Sequence, residues 1–151
     1  MAAMSDITSK QLVVFSLGSE EYALPIGAVH EIIRFTEPRT VASDDVWIRG
    51  VIGLRGKIIP IFDLAARLGL RAREATPGKI VIVDAGSGQV GVMVDEVEEV
   101  LTVTSDQLED VPTADADTIE AIAKIDDRLV ILLNPEGLFG RASAEELGAA
   151  A

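Results

Sequence analysis

A few stretches of this chain carry residue types that could do chemistry, and each requires a particular element beneath it. Gly86, Gly88 and Gly91 in "GSGQVG" fit G-x-G-x-x-G. With that spacing, a dinucleotide-binding turn lets backbone amides and a helix dipole meet a pyrophosphate. Such use demands a strand before the motif and a helix after it. The continuation "QVGVMVDEV" alternates Val90, Val92 and Val94, as in a strand with one buried face. Helical spacing through Val94, Val97 and Leu101 is the alternative. The motif also lies in the most acidic part of the chain, which repels phosphate. A hairpin turn is the preferred reading, and a nucleotide-using enzyme the remote alternative.

His30 is the sole histidine, and there is no cysteine to join it. A hydrolytic triad on His30 lacks the G-x-S-x-G elbow, and a zinc site would take carboxylates for all its other ligands. "DEVEEV" (95–100) offers four carboxylates without the ligand spacing or turning glycine of a calcium loop, so a solvated strand face is expected. No catalytic residue, cofactor site or metal site emerges, and the chain is expected not to be an enzyme.

Arg55 poses a different question. It stands between two apolar runs, "VIGL" (51–54) and "KIIPIF" (57–62), with glycines at 50, 53 and 56. Two strands joined at Arg55-Gly56 form a hairpin, because glycine supplies positive φ without steric cost. Pro60 cannot donate to a ladder, which places its strand at a sheet edge or a bulge. "DLAARLGL" (63–70) reads as a helical segment capped by Asp63 and ended by Gly69.

Elsewhere "QLVVFSL" (11–17) and "EEYALPI" (20–26) are strands across a "GSE" turn. Ile26, Val29 and Ile33 recur at helical spacing and predict a short helix, followed by an extended "RFTEPRTV". After a linker at 71–78 come the strands "KIVIVDA", "QVGVMVDEV" and "VLTV", then a polar segment at 105–112 with a cap at Ser105. "IEAIAKI" and "RLVILL" join at Asp126-Asp127, and "NPEGLF" starts a last helix. About ten short strands with few helices predict an all-β architecture of two small barrels.

At 151 residues, nearly half apolar, the chain has material for one domain with a real core. Lack of cysteine excludes a disulfide framework. The N-terminus has no signal-peptide pattern, no run reaches the ~20 apolar residues of a membrane span, and a cytoplasmic location is expected. The net charge of −12 argues against nucleic acid, and scarce aromatics against single-strand binding by a barrel. Acidity is uneven. Residues 1–79 hold 10 Lys/Arg against 9 Asp/Glu, whereas 80–151 hold 3 against 16. Two faces of different potential suit different partners.

The stretch "IRGVIGLRGKIIPIFDLAARLGL" (48–70) resembles the CheW family of chemotaxis coupling proteins, whose pattern is "IxGVxNLRGxxxPVxDLRxxxG". The resemblance extends from "QLVVFSLGSEEYALPIGAVHEI" through "VGVMVDEVEEVLTVTSDQL" to "RLVILLNPEGLF". It implies a single all-β domain with short helices: two intertwined five-stranded, SH3-like barrels sharing a hydrophobic core. The expected limits are about 11–75 plus part of the C-terminal segment for the first barrel and about 79–134 for the second, with tails at 1–8 and 142–151. It further implies a non-enzymatic adaptor with two partners, the regulatory domain of a CheA-type histidine kinase and the cytoplasmic helical tip of chemoreceptors. Further CheW copies in rings are a third partner, and no direct membrane insertion is implied. Matching the family motif, the receptor-binding residues fall on Arg55, Val29, Glu31, Gly50 and Gly56. Three departures bear on partner choice: Gly53 where the family has asparagine, Ala65 for the arginine of "DLR", and His30 for a glutamine. A paralogue serving a non-flagellar system such as pilus motility is the alternative.

Overall fold

The computed structural model describes residues 9–41, 47–69, 78–85, 88–110 and 118–139. Eleven strands among them form two sheets. In chain order they are β1 (Ser9–Leu17), β2 (Glu20–Pro25), β3 (Val29–Arg34), β4 (Ile48–Leu54), β5 (Lys57–Asp63), β6 (Lys79–Asp84), β7 (Gln89–Val94), β8 (Glu96–Thr104), β9 (Leu108–Glu109), β10 (Ile119–Ile125) and β11 (Arg128–Leu133). One sheet runs β8-β1-β2-β11-β10-β9 and the other β3-β6-β7-β5-β4. Two short helices, α1 (Leu64–Arg67) and α2 (Pro135–Phe139), follow β5 and β11. The two-barrel, all-β class read from the sequence is present.

Both sheets follow one plan. Each has an antiparallel hairpin at its centre, β1–β2 or β6–β7, and a second hairpin, β10–β11 or β4–β5, joined to it by a parallel pair. The N-terminal hairpin completes a sheet otherwise made of C-terminal strands, so the chain is interlaced. β3–β7 form one sheet, and β1, β2 and β8–β11 the other. The tails at 1–8 and 142–151 lie outside the described residues, as does the linker except Gly78.

Three apolar clusters explain the apolar runs. Leu12, Val14, Ala23, Val103, Val130 and Leu132 fill one sheet's concave side. Ile52, Ile59, Ile61, Ile80, Ile82 and Met93 fill the other's. Phe15, Leu24, Phe62, Val81, Val92, Leu133 and Phe139 belong to a third cluster that joins both sheets and both helices. In β6, even-numbered residues enter one cluster and odd-numbered residues another. A strand buried on both faces reads as continuously apolar rather than alternating.

Several local expectations change. The helix predicted around 26–33 is a 3-10 turn, Ile26–Ala28, followed by strand β3. Burial along β3 alternates with period two, β6 supplies its backbone partners, and Ile26 is exposed. Tertiary pairing has overridden a weak helical spacing. β5 is an inner strand, not an edge. Pro60 is tolerated because the parallel pairing with β7 begins one residue later, at Ile61. The bulge lies opposite, at Arg49 of β4. The run at 89–97 breaks at Asp95, whose carboxylate accepts from Gly18 N at 2.7 Å where the chain crosses between sheets. Beyond β8, the cap of the 3-10 turn Ser105–Gln107 is Thr104 rather than Ser105. Asp63 does cap α1, accepting from Ala66 N at 3.2 Å, and Gly69 follows with φ +76°.

Candidate functional site

The β4–β5 hairpin carries the site. Leu54 pairs with Lys57, leaving Arg55-Gly56 as a two-residue connection with φ of +50° and +80°. Positive φ at both central residues matches the twist of the flanking strands. Glycine adopts it freely, but a residue with a Cβ does so at an energetic cost. Arg55 therefore sits where the backbone would favour glycine, asparagine or aspartate, with its side chain 70% exposed.

Glu31 meets it from β3. A bulge at His30 reverses the side-chain direction between Val29 and Glu31, which pair with Val83 and Ile82. Val29 consequently packs on the shared core, whereas Glu31 lies on the concave face of its sheet. There both carboxylate oxygens accept from Arg55 Nη1. Glu31 is only 20% exposed, so the guanidinium is anchored at one end and open to solvent at the other. His30 itself is exposed.

The two glycines do different jobs. A Cβ on Gly56 would meet nothing within 4 Å, and its role is the turn. Gly50 is buried with φ +146°, and a Cβ there would lie 2.0 Å from the Arg39 carbonyl oxygen. That close approach lets Arg39 and Val51 exchange backbone hydrogen bonds of 2.8 and 2.9 Å, strapping the 35–41 segment to β4. The structure thus brings Arg55 and Glu31 into contact, places Val29 two residues from Glu31 on the other face, and gives Gly50 a backbone role below them. Neighbouring cations are engaged too: Arg49 lies 3.8 Å from Asp63, and Arg67 stacks 5.2 Å from the Trp47 ring centroid.

Sequence reading passed over a second arginine. Arg128, at the start of β11, bonds Glu21 through two nitrogens at 3.0 and 2.9 Å and Glu99 at 2.9 Å. The bond to Glu21, reinforced by Glu99, raises the guanidinium above its already high ordinary value. Arg128 and its two partners lie on three strands far apart in the chain, so no local spacing announces them. Ile58, within "KIIPIF", is 65% exposed, which an unbroken apolar run conceals.

The alternatives for chemistry find little support. Gly86 and Ser87 lie outside the described residues, but Asp84 pairs with Gln89 across an antiparallel hairpin, so strand β7 and no helix follows the glycines. Among the described residues no group of three or more His, Asp or Glu is placed to hold a metal. No helix among them is long and apolar enough to cross a membrane.

Residues 11–143 match the CheW-like domain family. A probable chemotaxis protein CheW of Rhizobium etli is 33% identical over 141 residues, covering 90% of this chain and 91% of its own length. The crystal structure of scaffolding protein TtCheW from Thermoanaerobacter tengcongensis superposes with a TM-score of 0.81 at 36% identity, covering 87% of this chain and 93% of that one. Protein PilI of Pseudomonas aeruginosa is 33% identical over 89 residues, 55% of this chain and 47% of its own.

Proposed function

Since the chain belongs to the CheW family, we propose that it is a non-enzymatic cytoplasmic adaptor coupling a CheA-type histidine kinase to the helical tip of methyl-accepting chemoreceptors. One observation carries the reading. Arg55 occupies a turn position of φ +50° that disfavours its residue type, yet it is exposed and held by Glu31. Backbone strain retained at an exposed site points to a role outside the fold. A guanidinium anchored on one side keeps a planar fork for a carboxylate or carbonyls of a receptor helix.

In this reading Arg55, Glu31 and Val29 form the receptor-contact region, Gly56 sets the turn, and Gly50 seats the strap beneath. The acidic C-terminal half serves the second partner, the kinase's regulatory domain or further copies of the adaptor in rings. Charge reversal across 95–99 should then weaken kinase binding at low salt; unchanged binding would remove electrostatics as the reason. The partial likeness to PilI supports a second reading, an adaptor of the same kind in a pilus-motility pathway.

The deciding experiment is a pull-down with the cognate kinase and a soluble receptor tip. Arg55→Ala should lose most receptor capture while kinase capture and melting temperature stay as in the wild type. Equal receptor capture by the variant would sink the role given to Arg55.

A further inference from the structure

Lys57 and Arg128 occupy one place in the repeated plan. Each begins the later strand of its hairpin, opposite Leu54 of β4 and Ile125 of β10. Arg128 is clasped by Glu21 of β2 and Glu99 of β8. The strand registers locate the counterparts of those acids around Lys57. Leu132, four residues after Arg128, pairs with Ala23, Ala23 with Val14, and Val14 with Glu99. Ile61, four residues after Lys57, pairs with Gly91, Gly91 with Ile82, and Ile82 with Glu31. Glu31 therefore stands where Glu99 stands. Gln89, two residues before Gly91, stands where Glu21 stands before Ala23. Neither serves Lys57. Gln89 carries no charge and donates its amide to Asp84 of β6 at 3.5 Å. Glu31 gives both its oxygens to Arg55. Lys57 is exposed and has no ion pair among the described residues.

We infer that Gln89, by withholding the carboxylate that Glu21 supplies to Arg128, leaves the Lys57 ammonium free to meet a carboxylate of the receptor helix beside Arg55. The inference deepens the receptor reading above and rests on it. Alternation along β5 puts Lys57 on the face of Ile59 and Ile61, the concave face on which Glu31 holds Arg55. Around Arg128 two acids confront one cation, whereas here Lys57 and Arg55 confront Glu31 alone. A surface with a cation in excess attracts an acidic segment and repels a basic one. The guanidinium fork of Arg55 accepts a carboxylate or neutral carbonyls. The ammonium of Lys57, a hydrated point charge on a flexible stem, adds a requirement for negative charge without fixing its geometry. Lys57 thereby helps to select which receptor helix is bound. Residues three or four apart share a helix face, so a single acidic helix can serve both cations.

The test is calorimetric titration of the full-length chain with a soluble cytoplasmic fragment of the cognate chemoreceptor. Wild type is compared with Lys57→Gln, Lys57→Arg, Gln89→Glu, the double variant Lys57→Gln/Gln89→Glu, and Arg55→Ala. Lys57→Gln should weaken binding about fivefold at about 50 mM salt and less than about twofold at about 500 mM, and Lys57→Arg should bind like wild type. Gln89→Glu should weaken binding about threefold by drawing the ammonium inward, and should add nothing where Lys57 is already glutamine. These surface substitutions should melt within about 2 °C of wild type. If Arg55→Ala weakens binding while Lys57→Gln binds like wild type, the Lys57 contact is overturned and the receptor reading stands. If Arg55→Ala binds like wild type, the receptor reading falls and the contact with it. A Lys57→Gln loss that persists undiminished at high salt overturns the inference, because charge is then not the cause. Equal weakening by Gln89→Glu with and without Lys57 overturns the role given to Gln89, the new carboxylate then acting on the receptor directly.

Discussion

In β4 and β10 the same positions are buried, residue for residue, and each strand carries one bulge opposite its hairpin partner. The bulged residue is Arg49 in β4 and Glu120 in β10. Each hairpin then turns through a non-glycine residue of positive φ, Arg55 at +50° and Asp126 at +54°. The turns continue into Gly56-Lys57 and Asp127-Arg128. One scaffold thus appears twice, with the charge at the bulge and at the first turn residue reversed. What differs most is the use of arginine. Arg128 is gripped by two carboxylates and clasps β11 to β2 and β8, whereas Arg55 has one partner and reaches into solvent. The comparison separates an arginine that serves the fold from one free to serve a partner.

Gly50 and its counterpart Ala121 give the strongest way to break that comparison. A Cβ at Gly50 would run into the Arg39 carbonyl at 2.0 Å, and φ +146° strains any other residue. Gly50→Ala should therefore cost about 3 kcal/mol, because the strap must move and its two backbone bonds with it. Ala121 already carries a Cβ in the same bulge although Glu109 of β9 pairs with the next residue, Ile122, and Ala121→Gly should cost only about 1 kcal/mol. Denaturant unfolding followed by fluorescence of Trp47, the single tryptophan, measures both. Equal losses would show that the close approach of the Arg39 carbonyl to Gly50 does not distinguish the two sheets.

The arginines themselves sharpen the contrast at a smaller scale. Arg128→Ala leaves Glu21 and Glu99 facing one another, and the expected loss is about 1 to 2 kcal/mol after allowing for partial exposure. Arg55→Ala should change stability by no more than about 0.5 kcal/mol, since its pair is mostly solvated on the arginine side. Arg55→Asn should even stabilise by about 0.5 kcal/mol, asparagine being at home in left-handed backbone. Thermal melts of the three variants decide the matter. An Arg55→Ala loss as large as that of Arg128→Ala would make both arginines structural.

How far the sequence foretold these roles follows from the range of the interactions. Turns and caps are local, and Arg55-Gly56, Asp126-Asp127, Asp63 and Gly69 were all legible from a few neighbouring residues. Strand β3 was not, because Ile26, Val29 and Ile33 satisfy a helical spacing until β6, some fifty residues later, offers its backbone. The interlacing of β1–β2 with β8 and β11 depends on pairing across most of the chain, which no local pattern encodes. At the site, Arg55 and Glu31 were found separately through the family motif. Their contact, and the clasp at Arg128, became visible only once the strands carrying them were placed. Ile58 was concealed for the opposite reason: its neighbours are equally apolar, and only its place beside the turn, on the face away from Ile59 and Ile61, makes it a surface residue.

The gentlest probe concerns the core that both sheets share. Tyr22 lies on β2, pairs with Ile131 of β11, and packs in the cluster that includes β6 and β7. Burial, with Glu20 adding to it, pushes its phenol above the ordinary value of 10.0. The folded chain then keeps this proton at a pH where the unfolded chain has lost it. The corresponding stability is complete below pH 10.0 and is lost as pH rises through the folded value. The useful quantity is the difference between wild type and Tyr22→Phe, which lacks only the phenolic hydroxyl and shares every other ionisable group. Wild type should lose stability faster than the variant above pH 10.0, and parallel curves would contradict the stated burial effect. Trp47 packs against the same shared cluster. If the two sheets stand or fall together, its fluorescence and the β-sheet circular dichroism should collapse at one pH, not two.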